Sequence, residues 1–223
     1  MAIKDKTSSP RREWLVPVLL VLLSAVPVIA GGFRLAELGG GGPVTPGNAR
    51  FFDSPVPVVL HIAASALYCV LGAFQFAPGL RRRRPGWHRL AGRFLVPFGL
   101  VSALTGLWMT VSYTLPAMDG ELLMVQRLGF GSAMALFLVL GFAAVRRRDI
   151  AGHRAWMVRA YAIGQGAGTQ VFTHLPWVLF LGAPGEVVRA ALMGAGWVVN
   201  IAVAEWVIRG HGARPSRRAE RVG

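Results

Sequence analysis

The chain has 223 residues, 54% of them hydrophobic and only 15% charged, with a formal net charge of +14. The charges gather between long uncharged runs, which excludes an ordinary soluble domain and points to helices in lipid. A nucleic-acid partner is set aside as well, because the positive residues sit in alternate loops where membrane topology and anionic lipid account for them.

In chain order, residues 1–13 read as a polar tail, and the first apolar run covers 14–32. Arg11 and Arg12 before that run, with Ala30-Gly31 as a cleavage point, resemble a signal peptide. The run exceeds a usual signal core and the loop count works with it kept, so it is read as a helix. Gly39 to Gly42, with Pro43, Pro46 and Gly47, form a flexible loop. Further apolar runs follow at 56–76, 90–114, 122–145, 155–182 and 187–208, and a basic tail occupies 209–223. The expected architecture is all-α: a six-helix transmembrane bundle over 14–208, with helices 2 and 3 and helices 4 and 5 as two hairpins. Loops rich in arginine alternate with loops that hold few, chiefly Arg34, Arg50 and Arg189. The positive-inside rule then predicts a multipass protein with both termini in the cytoplasm.

The two hairpins repeat a motif. Arg81 to Arg84 precede His88-Arg89 and Arg93; Arg146 to Arg148 precede His153-Arg154 and Arg159. An axis along the membrane normal relating such hairpins would bring His88 and His153 to one depth. Toward the opposite surface, His61 in helix 2 and His174 in helix 5 form a second depth-matched pair. Histidine pairs on facing helices suit haem iron, so His61 with His174 and His88 with His153 are candidate ligands of haem b. The spacing tells against two haems, since His153 and His174 are 21 residues apart, roughly 31 Å along a helix. The alternative for both pairs is hydrogen-bonded packing or an interfacial role. Arg89, Arg93, Arg154 and Arg159 are candidate contacts for an anionic lipid or solute, and Glu205 is expected to pair with Arg93 or Arg159.

Small residues at helix-contact spacing include Gly99, Gly106, Gly129, Ala133, Ala190 and Gly194. The run Gly164 to Gly168 has the wrong spacing for a dinucleotide fingerprint. It reads either as close packing or as a flat surface for a planar cofactor. The single cysteine, Cys69, excludes a disulfide framework and a cysteine metal site, and no metal beyond haem iron is expected. No serine or cysteine nucleophile stands beside a base, so a hydrolase is not expected.

Several of these motifs together resemble a bacterial membrane-protein family known as domain of unknown function 2306. They are His61-Ile62, Leu71-Gly72, Gln75-Phe76, His88-Arg89, Gly92-Arg93, Gly129-Phe130 and, most specifically, His153-Arg154-Ala155-Trp156-Met157 with Arg159 and Tyr161. The resemblance implies a bacterial plasma-membrane protein in which His61, His88 and His153 belong to the site that matters; it supplies no activity. Two functions stay open. One is a redox protein, with b-type haem or quinone and an unidentified electron donor. The other is a non-enzymatic transporter, sensor or assembly factor binding an anionic lipid or solute.

Overall fold

The computed structural model describes residues 10–212, and these are helical apart from short connections. Residues 1–9 and 213–223, which fall in the two expected tails, lie outside the described residues. The helices are α1 (Pro10–Gly39), α2 (Ala49–Asp53), α3 (Pro55–Ala73), α4 (Pro78–Arg83), α5 (Pro85–Ser112), α6 (Glu121–Arg146), α7 (Ile150–Gly164), α8 (Gly166–Leu181) and α9 (Glu186–Gly212). A 3₁₀ turn, Phe74–Phe76, follows α3. The first and last helices outrun the apolar segments 14–32 and 187–208 that announce them.

Five stretches are long and apolar enough to cross a membrane: Glu13–Gly39, Pro55–Phe76, Pro85–Ser112, Glu121–Arg146 and Glu186–Gly210. The remaining expected span, helix 5 at 155–182, is not one helix but two. Its parts, α7 and α8, have 15 and 16 residues, about 22–24 Å at 1.5 Å per residue, short of a ~30 Å core. The break is local. Gln165 has ψ near −1° where a helix needs about −42°, and glycines on either side leave no side chain to resist the bend. At the far end α8 stops at Gly182, whose φ of +82° favours glycine.

The packing is that of a protein in lipid. Along α1, Leu15, Leu19, Leu22, Val26, Ile29 and Phe33 recur at steps of four and three, so they share one face, and Phe33 is 73% exposed. A soluble protein would not leave such a stripe in water. Inside, small and polar residues take the places that leucine fills in a soluble core: Ser24, Ser102, Thr110, Gln165 and Gln170 are buried. The apolar core joins α3, α5, α6 and α7 through Tyr68, Leu95, Met134, Leu138 and Tyr161.

Some of the small residues serve as expected. A side chain at Gly99 would press on Tyr68 and Leu138, and one at Gly106 on the His61 ring. Gly129 has nothing within 4 Å of where a Cβ would stand, so it is not a helix contact. Glu205 on α9 pairs with Arg159 on α7 through two bonds, Nε–Oε1 at 2.5 Å and Nη2–Oε2 at 3.0 Å. That fork joins the two helices, and Arg159 also lies 4.8 Å over the Trp156 ring.

Candidate functional site: a cavity that reaches the helix break

The break between α7 and α8 frees backbone groups that lipid could not satisfy. Side chains take them up. Asn200 Nδ2 donates to the Ala162 carbonyl at 3.0 Å, and Thr169 donates to Asn200 Oδ1 at 2.7 Å. The Cys69 thiol donates to the Gly164 carbonyl at 3.4 Å. Gln165 itself is 3% exposed. Its Nε2 donates to the Tyr161 hydroxyl at 2.6 Å, that hydroxyl donates to the Cys69 carbonyl at 2.6 Å, and Ser24 donates to Gln165 Oε1 at 3.1 Å. Three helices are thereby tied to one bend by a chain of hydrogen-bonded polar groups, and such buried networks help to specify a structure.

A cavity of about 440 Å³ runs to this bend. At its deep end stand Ser24, Cys69, Gln165 and Gly168; its walls include Ile62, Met109, Phe130, Met134 and Trp197. Phe130 and Trp197 stack at 4.8 Å. Polar groups on the wall are few. Ser65 and Ser102 share a hydrogen bond of 2.7 Å, and His61 Nδ1 lies 2.9 Å from the Ser102 carbonyl. A carbonyl only accepts, so Nδ1 carries a proton, and in the uncharged tautomer that fits this bond the lone pair is on Nε2.

The mouth is charged, and Arg50, Asp119 and Arg127 line it. Asp119 accepts from Arg127 on α6 at 2.8 Å and from Arg189 on α9 at 2.6 Å. Burial pushes the Asp119 carboxyl up, but the hydrogen bonds and charges of the two arginines outweigh it and hold the pKa below the ordinary range. Beside it, Arg50 and Arg34 lie 4.4 Å and 4.7 Å from the centre of the Phe51 ring, and Tyr113 donates to the Ser54 carbonyl at 2.5 Å.

Of the four candidate histidines, the cavity takes in His61 alone. His174 is on α8, where Nδ1 bonds the Gln170 carbonyl at 2.8 Å; its Nε2 is buried with no partner among the described residues. At the opposite end, His88 lies within electrostatic reach of His153 and Arg81, and Arg154 within reach of Arg81. His153 Nδ1 donates to the Gly141 carbonyl at 2.8 Å, while His88 Nδ1 is buried and unpartnered among the described residues. Arg89 and Arg93 are exposed there, and Arg159 is engaged by Glu205. The described residues contain no group of three or more metal-ligating side chains.

Sequence reasoning missed Asp119, Arg50, Arg127, Ser65, Ser102 and the hinge role of Gln165. One signal was present. Arg127 falls inside an apolar run, and a charge there needs a partner; Asp119, eight residues earlier, provides it.

These features define a multipass helical membrane protein with a cavity among its helices. The family described as "Predicted membrane protein (DUF2306)" matches residues 58–208, more than half of the chain, and the protein belongs to it. That span holds nearly all of the cavity wall and all four candidate histidines. No curated protein and no solved structure matches the chain.

Proposed function

We propose that the protein is a small carrier that takes an amphipathic solute into the cavity and passes it across the membrane. The observation behind this reading is the meeting of the cavity with the break in the 155–182 segment. Irregular backbone at membrane depth belongs where it is buried in protein or lines a cavity, and carriers bind their substrates at such interrupted helices. The arginine-rich loops Arg81–Arg84 and Arg146–Arg148 would hold the His88 end at the cytoplasm and its anionic phospholipids, so the Asp119 mouth opens outward. Asp119 is doubly paired and Glu205 is held by Arg159, which favours facilitated passage over ion coupling.

Access tests it. Ser65→Cys in a Cys69→Ala background puts one thiol on the cavity wall. A membrane-impermeant methanethiosulfonate should label it in intact cells and, more slowly, in inverted vesicles. Labelling from outside only would leave a binding site without passage. Absence of labelling from either side would remove the carrier reading.

A redox reading in the same cavity is favoured by one observation, the His61 ring with its lone pair left on Nε2. His61 would hold haem b through that nitrogen, and the haem would supply a one-electron couple; a quinol hydroxyl would donate to it. Two methionines, Met109 and Met134, also line the cavity, whereas His174 is off its wall. Detergent-purified protein from haem-replete cells should show a Soret band that His61→Ala abolishes. Colourless wild-type protein rules out haem.

A further inference from the structure

We propose that Arg50 makes this cavity selective for an amphipathic organic anion, a flat apolar body carrying a carboxylate, with the head at Arg50 and the body along Phe130 and Trp197. The inference rests on the cavity being a solute site and adds the class of solute.

The charge at the mouth is unbalanced. Arg127 and Arg189 share Asp119, and Arg34 is held by Glu37. Arg50 is left over: it lines the cavity and forms no ion pair with a described residue. Its guanidinium carbon lies 4.4 Å from the centre of the Phe51 ring, a cation–π contact that holds the side chain at the mouth. With no ion pair to occupy them among the described residues, its N–H donors can match a carboxylate with two parallel bonds. The setting also disfavours an uncompensated cation. Burial, with the nearby charges of Arg34 and Arg127, holds the Arg50 pKa below its ordinary value despite Asp119. A bound anion relieves that cost.

The interior fixes the rest of the ligand. Beside Phe130, Trp197, Met109 and Met134 the wall carries hydrogen-bonding groups such as His61, Ser65 and Gln165, and its other charged residues, Asp119 and Arg127, are paired with each other. A cavity of about 440 Å³ is within the range for a single small organic molecule and too small for both acyl chains of a phospholipid. A free solute, not a membrane lipid, is the occupant it fits.

The test compares 2-naphthoate with its neutral counterpart 2-naphthamide by titration calorimetry on the full-length protein in detergent. Wild type should bind naphthoate at least tenfold more tightly. Arg50→Gln should erase that preference. Arg50→Lys, which keeps the charge but loses the fork, should retain only part of it, and it carries this comparison if Arg50→Gln does not fold. Equal binding of the two probes by wild type overturns anion selectivity while the cavity remains a solute site. A preference that survives Arg50→Gln overturns the role of Arg50. If neither probe binds and the cysteine at position 65 is also unlabelled, the inference and the carrier reading fall together.

Discussion

Alanine at Gly168 should cost the protein about 3 kcal/mol, at the upper end of what forcing extra atoms into a packed interior costs. The reason is geometric. A Cβ there would land on the Leu23 carbonyl oxygen and 2.9 Å from its carbonyl carbon. The obstacle is helix backbone, which cannot rotate away as a side chain can, so α1 and α8 would have to separate. Separation would also strain the Ser24–Gln165 bond, which joins the same two parts of the chain. Gly129→Ala is the matched control. Nothing lies within 4 Å of its Cβ position, so replacing a helical glycine there should be neutral or stabilise by about 0.5 kcal/mol. Thermal unfolding of the two variants in one detergent checks the pair. Equal midpoints would mean that α1 and α8 do not approach closely at Gly168.

Asp119→Asn should also destabilise, by about 1–3 kcal/mol, the range for leaving a buried charged partner unmatched, reduced because the arginines are partly exposed. The Asp119 side chain is 5% exposed, against 22% and 32% for Arg127 and Arg189. Removing its charge leaves two arginines facing each other across α6 and α9. The same pair of bonds sets a pH dependence. Because the folded-state pKa of Asp119 is lowered, the unfolded chain takes up its proton first as pH falls. The stabilisation is therefore complete above the ordinary carboxylate range near pH 4 and is lost as pH drops through the lowered native value. Wild type should lose stability over that window, and Asp119→Asn should lack this component. An unchanged acid profile in the variant would show that other carboxylates govern acid unfolding.

These expectations differ in how far the sequence alone led toward them. The apolar runs and the alternation of arginine loops announced the membrane class and five of the spans, because hydropathy and charge belong to each residue wherever its neighbours are. The Arg159–Glu205 pair was also legible. An arginine and a glutamate inside apolar runs each need a partner, and few acids were available to supply one. The interruption at Gln165 was only half legible. The glycines around it were conspicuous, but a glycine-rich run serves equally for close packing and for a bend. What decides between them is whether carbonyls freed by a bend find donors. Here they find Asn200, 38 residues from Ala162, and Cys69, 95 residues from Gly164.

The histidines mark the boundary most clearly. Depth along a helix follows from residue number at 1.5 Å per residue, so the sequence by itself sorted them into two levels. Which histidine faces a cavity depends on rotation about the helix axis and on which helices stand beside it, and neither is a local property. Tertiary structure alone put His61 on the cavity wall with Ser102, left His174 against its own helix backbone, and brought His88 near His153. It also drew Asp119 to Arg189 across 70 residues and left Arg50 at the mouth without an ion pair among the described residues. Hydropathy and charge count are sums over residues and can be read from the sequence in order. Ion pairing and cavity lining depend on distances between residues far apart in the chain, and folding sets those distances.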